Sequence, residues 1–207
     1  MQKVRVLTPR QAAELIRDGD VVTVSSSSGL GCPDAVLAGI GDRFAETETP
    51  RGLTTIHPIA AGDMYGIKGI DHLAEPGLLS KVIAGSYPSG PSSWEPPKIW
   101  KMIEQEKVYA YNFPSGVIFQ MHRAAAAHQP GVLTRVGADT FIDPAREGGR
   151  MNEQTPREHV RAVEFDGEDW LYFPAVVPNV AIIRATTADE FGNLTYEEEG
   201  SPLGALD

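Results

Sequence analysis

The residues most able to take part in chemistry form a loop at positions 25–31. It consists of serine and glycine apart from Leu30 and is named here the Ser/Gly loop. An apolar β-branched run, 21–24, precedes it and predicts a buried strand. Pro33 follows it and predicts a helix start. Small side chains let a ligand approach the backbone, and a helix N-terminus favours negative charge. The pattern predicts a cradle for an anion or a carbonyl oxygen, although a plain strand-to-helix connection would look the same.

Two more specific motifs are excluded by the residues that follow the loop. A phosphate-binding loop needs Lys-Ser/Thr after its last glycine, where Cys32 and Pro33 stand. A dinucleotide-binding fingerprint needs a third glycine, where Asp34 stands. A second strand–turn–helix pattern occurs at residues 114–116, the Pro-Ser-Gly turn. We hypothesise that both turns face one cleft. This hypothesis would be excluded if the turns lay on opposite edges of the sheet.

The other candidate residues favour structural roles. Cys32 precedes a helix, whose dipole could lower the thiol pKa, but no base stands at motif spacing to support a nucleophile. The acidic run Glu197-Glu198-Glu199 could hold a catalytic carboxylate, although a solvated surface is the commoner role. Residues 189–193 predict a turn first and a site second. The five histidines lack metal-ligand spacing, so no metal site is expected (His57, His72, His122, His128 and His159).

The elements that position these residues alternate between strand and helix. Strands are predicted at Val4 and Val6 and at 21–24, 53–56, 81–84, 108–111, 160–165, 170–173 and 180–184. Helices are predicted from a Thr8 N-cap to Arg17, from Pro33 onward, and at 98–105 and 117–128. Residues 85–97 are predicted to form an irregular loop. The order predicts an α/β fold, a mostly parallel sheet with flanking helices, and a β-richer insertion late in the chain.

Composition restricts the class of function. The 207 residues, 42% of them hydrophobic, can bury a core. A net charge of −10 disfavours nucleic-acid binding. No apolar run reaches the roughly 18–20 residues of a membrane helix. With one cysteine and no signal-peptide core, we expect a cytoplasmic protein. From Glu164 onward the sequence has ten acidic residues and one basic residue, Arg184. The rest of the chain is therefore near neutral and could bind a polyanion.

Motifs in collinear order resemble class I coenzyme A transferases, most closely the propionate/acetate CoA-transferase group. The likeness begins at Asp18-Gly19 and Gly31-Cys32-Pro33 and continues through residues 111–116 and 123–131. It then covers parts of 137–152 and ends with 184–186 and 189–193. The resemblance therefore extends over nearly the whole chain.

The resemblance implies that residues 1–207 form a NagB/RpiA-like N-terminal (alpha) domain, and an incomplete one. In this family a glutamate attacks the acyl-CoA thioester, passes through an anhydride to a glutamyl-CoA thioester, and transfers CoA to a second carboxylic acid. That glutamate lies in a second half, so we expect no catalytic residue in this chain. The expected partner is a C-terminal or beta half within a homo- or hetero-oligomer. Coenzyme A would be a substrate, and no cofactor would be permanently bound.

On this resemblance, two turns wall the acyl pocket: Ser26, Ser27, Ser28, Gly29 and Gly31 on one side, and Pro114, Ser115 and Gly116 on the other. The chain departs from the family at residues 25–27, where Gly-Gly-Phe or a similar triplet is usual. It also departs at Ser115, where the family usually has Gln, and a short hydroxyl there changes the room and the donors near the acyl group. A non-catalytic module that binds acyl-CoA or a small anion, and an acyl-CoA hydrolase, are the alternative functions.

Overall fold

Strands and helices alternate along residues 3–90 and 95–200, the part of the chain that the computed structural model describes. The helices are α1 (Pro9–Ala13), α2 (Asp34–Thr47), α3 (Lys98–Glu104) and α4 (Ser115–Ala126), with 3-10 helices at Gly69–Leu73 and Arg157–His159. The strands are β1 (Val21–Val24), β2 (Leu53–His57), β3 (Leu79–Ala84), β4 (Tyr109–Asn112), β5 (Gly131–Thr134), β6 (Arg161–Phe165), β7 (Glu168–Pro174), β8 (Val180–Ile182), β9 (Thr187–Ala188) and β10 (Leu194–Thr195).

Five of these strands form the central sheet in the order β4–β3–β2–β1–β8. Every pairing in it is parallel, which confirms the predicted class. Parallel sheets are covered on both faces, and the apolar runs of β1 to β3 supply the two faces with side chains. One core packs the sheet against α2 and α3 through Leu37, Ile40 and Ile99. The other packs it against α4 through Ile118 and Met121.

The late β-rich insertion is a three-stranded antiparallel sheet in the order β5–β7–β6. It docks on the α4 face, where Phe173 of β7 meets Phe113 edge-to-face with ring centroids 5.3 Å apart. His159 also stacks on Phe113, at 5.5 Å. β9 and β10 form a separate small hairpin. Its turn spans residues 189–193, as predicted, and Asp189 Oδ1 accepts the backbone N–H groups of Phe191 and Asn193.

Two predictions near the N-terminus are wrong. Val4 and Val6 form no strand: Val6 is 96% exposed, and Val4 makes one backbone hydrogen bond, to Glu190. α1 begins with the predicted Thr8 cap but ends at Ala13 instead of Arg17. The guanidinium of Arg43 donates to the carbonyl oxygens of Ala13 and Ile16 at 2.7 and 2.8 Å. It thereby caps two carbonyl groups at the end of α1, while the Arg17 N–H donates to Asp20 Oδ2 at 2.8 Å and does not continue the helix.

None of the helices in the described residues is both long enough and apolar enough to cross a membrane.

Candidate functional site

Both predicted turns lie at the carboxyl edge of the central sheet, since they follow the parallel strands β1 and β4. This is the edge where open α/β sheets bind ligands. β2 and β3 lie between the two strands, so the turns are separated by about three strand spacings, roughly 14 Å. They are therefore on one edge but are not direct neighbours. The loops that follow β2 and β3 fill the distance between them.

The Ser/Gly loop folds as a narrow turn. Ser27 and Leu30 exchange backbone hydrogen bonds of 2.8 and 3.1 Å, which leaves Ser28 and Gly29 at the tip. Ser28 is exposed and Ser27 is half-buried, whereas Ser26 is buried. The Ser26 hydroxyl donates to the carbonyl oxygen of Ala60 at 2.9 Å. Its side chain therefore supports the loop from beneath, while Ser27 and Ser28 reach the surface.

Asp63 explains the glycine at position 29. A Cβ atom on Gly29 would collide with Asp63 Oδ2. The other carboxylate oxygen, Oδ1, accepts the backbone N–H groups of Tyr65 and Ile67 at 2.8 and 3.2 Å, which fixes the side chain. Sequence reasoning missed Asp63, because it belongs to the loop after β2 and meets the Ser/Gly loop only in the folded chain.

Unpaired backbone donors occur in both turns. Within the described residues, the N–H groups of Gly29 and Gly31 donate to no acceptor. α4 starts at Ser115 behind Pro114, which gives no side-chain cap. The N–H groups of Ser115 and Gly116 are likewise unpaired there. Such donors can stabilise negative charge that develops on a carbonyl oxygen.

Two carboxylates near the Ser/Gly loop favour a carbonyl ligand there over an anionic one. Asp34 stands in the first turn of α2, where its Oδ1 accepts the Gly69 N–H at 2.6 Å and lies 3.2 Å from His72 Nε2. The positive end of the α2 dipole is therefore already matched by a charge of this chain. Asp63 approaches the loop at Gly29, so the two carboxylates disfavour a permanently anionic ligand such as a phosphate. A carbonyl oxygen fits this environment better.

Cys32 is not a reactive thiol, and burial keeps two of the histidines neutral. Cys32 is 1% exposed, and burial, with Asp34 and Asp63 nearby, raises the pKa of its thiol to about 12. The thiol is neutral, which argues against the nucleophile interpretation. Burial lowers the pKa values of His57 and His159 to about 4. Over residues 3–90 and 95–200, no three His, Cys, Asp or Glu side chains cluster as metal ligands.

The acidic run near residue 197 is partly paired within the chain. Glu197 Oε1 accepts the hydroxyl of Thr187 at 2.7 Å. The side chain of Glu199 is 9% exposed, and its Oε1 lies 3.1 Å from Arg184 Nε. Glu198 is exposed. The prediction of a uniformly solvated acidic surface therefore fails for Glu199, which is committed to an ion pair.

Comparison with known proteins gives a consistent family. The coenzyme A transferase family model matches residues 6–205. The acetate CoA-transferase YdiF of Escherichia coli K12 is 39% identical over 206 residues, which are 99% of this chain and 37% of that protein. The caffeate CoA-transferase of Acetobacterium woodii is 37% identical over 95% of this chain and 36% of its own length. The chain thus spans little more than a third of these curated relatives.

A shorter relative and two solved structures agree. The alpha subunit of acetate CoA-transferase from E. coli K12 is 26% identical over 99% of this chain and 81% of its own. The YdiF apoenzyme from E. coli O157:H7 superposes with a TM-score of 0.85 at 38% identity, over 95% of this chain and 37% of that one. Glutaconate coenzyme A-transferase from Acidaminococcus fermentans, 18% identical over 98% of this chain and 62% of its own, shares the fold with a TM-score of 0.71. This chain belongs to the coenzyme A transferase family.

Proposed function

We propose that this chain is the N-terminal, alpha portion of an acyl-CoA:carboxylate CoA-transferase that moves CoA between a short-chain acyl-CoA and a carboxylic acid. The observation that carries the proposal is the pair of turns with unpaired N–H donors at the carboxyl edge of the sheet. They occur in a chain that is 39% identical to a protein named as an acetate CoA-transferase. The second half that completes the enzyme lies outside these 207 residues.

The reaction we propose begins with a glutamate carboxylate of that second half. It attacks the thioester carbonyl, so a C–O bond forms, the C–S bond breaks and CoA leaves as the thiolate. The thiolate then attacks the glutamyl carbonyl of the anhydride, releases the first carboxylate and leaves a glutamyl-CoA thioester. The same steps in reverse load the second acid. Each tetrahedral intermediate carries an oxyanion, for which this chain offers candidate N–H donors at two separate places: Gly29 and Gly31 in one turn, or Ser115 and Gly116 in the other.

The carboxylates beside the Ser/Gly loop support a nucleophile from elsewhere. Asp34 accepts a backbone N–H and lies beside His72, and Asp63 accepts two backbone N–H groups. Glu199 is largely buried against Arg184. A nucleophilic carboxylate must be desolvated and free to align with the carbonyl, and each of these three is already engaged. We therefore assign this chain the pocket walls, Ser26–Gly31 and Pro114–Gly116, and assign the chemistry to the partner half.

The same proposal covers the setting of the enzyme. We propose a cytoplasmic oligomer, homomeric or heteromeric, in which CoA is a substrate and no cofactor is permanently bound. The single cysteine, Cys32, is buried and neutral, so nothing in this chain calls for an oxidising compartment.

A comparison of the chain alone with the complete protein tests the proposal. Acyl-CoA is incubated with each, with and without a carboxylate acceptor, and CoA transfer is measured. We expect transfer by the complete protein and none by the isolated chain. Borohydride reduction followed by mass spectrometry should locate a modified glutamate in the second half. Transfer by the isolated chain, or the absence of any modified glutamate, would contradict the proposal.

The same assay separates the alternatives. CoA release that does not depend on the acceptor would identify a hydrolase, because water would replace the second acid. Tight acyl-CoA binding without turnover by the complete protein would identify a binding module.

A further inference from the structure

A line of hydrogen bonds crosses the carboxyl edge of the sheet between the two proposed pocket walls. On one side, the carbonyl oxygen of Ala60 accepts the Ser26 hydroxyl at 2.9 Å and the Ser28 N–H at 2.8 Å. On the other side, the N–H of Ala60 donates to the Ser86 hydroxyl oxygen at 2.8 Å. The main chain at Ala60 is thus held by the Ser/Gly loop and by a residue of the loop after β3.

The segment that carries Ser86 is fixed on both sides of it. The Gly85 N–H donates to His57 O at 3.2 Å, and the Tyr87 hydroxyl donates to Tyr111 O at 2.8 Å. Trp100 Nε1 donates to the next carbonyl, that of Pro88, at 2.8 Å. These partners lie in β2, β4 and α3. The position of Ser86 is therefore set by the central sheet and by a helix, not by its own loop.

Gly85 brings this segment against the Pro-Ser-Gly turn. A Cβ atom on Gly85 would collide with the Ser115 hydroxyl oxygen and with the carbonyl oxygen of Pro58. Asn112 Nδ2 donates to Gly85 O at 2.9 Å from the end of β4. The hydrogen bonds therefore run from the Ser/Gly loop through Ala60 to Ser86 and, at Gly85, to Asn112 of β4, while Gly85 packs closely against the Ser115 hydroxyl at the start of α4.

We propose that Ser86 is a positioning residue of the acyl site, because it fixes the distance between the Ser/Gly loop and the Pro-Ser-Gly turn by accepting the Ala60 N–H. This rests on the proposed function, in which the two turns wall one acyl pocket. A misplacement of about 1 Å in such a site can cost up to about a hundredfold in rate. Ser86 lies in the stretch predicted from sequence as an irregular loop, so composition alone gave no sign of this role.

A double-mutant cycle in the complete protein tests the proposal. Ser26→Ala and Ser86→Ala should each lower kcat for acyl transfer about tenfold, with a smaller change in the KM for acyl-CoA. Because both act through Ala60, the double variant should be little worse than the poorer single variant. Ser86→Thr keeps the hydroxyl and should restore most of the rate. Fully additive effects of Ser26→Ala and Ser86→Ala would overturn the proposal.

Ser80 is the matched control, because it lies at the other end of β3 and its hydroxyl donates to Gly52 O and Leu53 O. Ser80→Ala removes a serine hydrogen bond near the start of β3, at the opposite end of the strand from the site. Its effect on kcat should combine additively with that of Ser26→Ala. Coupling of Ser80→Ala to Ser26→Ala as strong as that of Ser86→Ala would show a general loss of stability, and the proposal would be wrong.

Amide exchange gives a readout that does not depend on catalysis. Ser86→Ala should speed hydrogen exchange at the Ala60 N–H about tenfold or more, since that donor loses its acceptor, with no such change along β2 and β3. Unchanged exchange at Ala60 would overturn the proposal. If the complete protein transfers no CoA, the proposed function fails, and exchange at Ala60 decides separately whether Ser86 positions the loop.

Discussion

At the scale of single residues, Cys32 shows how burial cancels an apparent reactive position. It precedes α2, where a helix dipole favours a thiolate, yet burial raises its pKa to about 12. We expect iodoacetamide at pH 8 to leave Cys32 unmodified in the native protein and to alkylate it rapidly once guanidinium unfolds the chain. Peptide mapping by mass spectrometry measures both rates. Native alkylation as fast as that of the unfolded chain would show that the thiol is accessible and ionised.

The same scale shows where sequence reasoning ends. Residue types and spacing predicted the Ser/Gly loop and the Pro-Ser-Gly turn, because each follows an apolar strand and precedes a helix. Asp63 and Ser86 could not be predicted in this way. Their importance comes from contacts with Gly29 and Ala60, which belong to other loops, and those contacts depend on strand order. A single sequence does not state strand order.

At the scale of elements, replacing either of two helical glycines by alanine is predicted to change the free energy of unfolding in opposite directions. Alanine is more favourable than glycine inside a helix by up to about 1 kcal/mol. At Gly41 of α2, however, a Cβ atom would collide with the backbone carbonyl of His72, in the 3-10 helix Gly69–Leu73, whereas at Gly116 of α4 nothing lies within 4 Å. We expect Gly41→Ala to lower the free energy of unfolding by about 1–3 kcal/mol. Gly116→Ala should raise it by about 0.5–1 kcal/mol.

Urea unfolding of the two variants checks this pair, and each is the control for the other. Stabilisation by Gly41→Ala would mean that α2 and the 3-10 helix can separate at little cost. That separation matters for the site, because the same contact lets Asp34 of α2 accept the Gly69 N–H. The close approach at Gly41 therefore helps to hold the loop after β2 against the Ser/Gly loop.

Most elements of the fold could be predicted because hydrophobic patterning is local. The strands at 21–24, 53–57 and 79–84 agree with their apolar runs to within two residues. No strand was predicted at β5, because Gly131–Thr134 is a short segment just after the predicted helix 117–128 and forms a strand only by pairing with β7. The strand at Val4 and Val6 was wrong because two alternating valines cannot indicate whether a partner strand exists. Pairing is a tertiary property, so errors concentrate where an element depends on a distant partner.

At the scale of the whole molecule, the acidic C-terminal quarter is less isolated than its sequence predicts. Arg184 is the cation within it, and it pairs with Glu199. Two further cations come from elsewhere: Lys3 pairs with Glu190, and Arg135 lies 3.4 Å from Glu168. The Lys3 and Arg135 pairs are exposed, and each contributes little to stability. They nevertheless distribute the negative charge, so the −10 does not form a single repulsive surface.

Acid sensitivity is a property of the whole fold, because buried histidines lie in both cores. His57 meets the ring of Tyr87 in the first core, and His159 stacks on Phe113 in the second. Burial lowers the pKa of each to about 4, and Lys81 and Arg161 act in the same direction on His159. In the unfolded chain, histidine has a pKa of about 6.5. Below that pH the unfolded state binds more protons than the folded state, so acid favours unfolding.

We therefore expect the free energy of unfolding to be highest above pH 6.5 and to fall as the pH drops towards 4, below which the folded state also binds these protons. His57 and His159 together contribute up to about 2.7 kcal/mol per pH unit to the slope, and His122, whose pKa burial also lowers, adds to it. Urea denaturation at pH 7.5, 6 and 5 measures it. His159→Phe keeps the stacking and removes one titrating group, so it should reduce the slope by up to half, whereas His128→Asn, at an exposed position, should not. A free energy that stays constant from pH 7.5 to 5 would show that both imidazoles accept protons without unfolding, and hence that water reaches both cores.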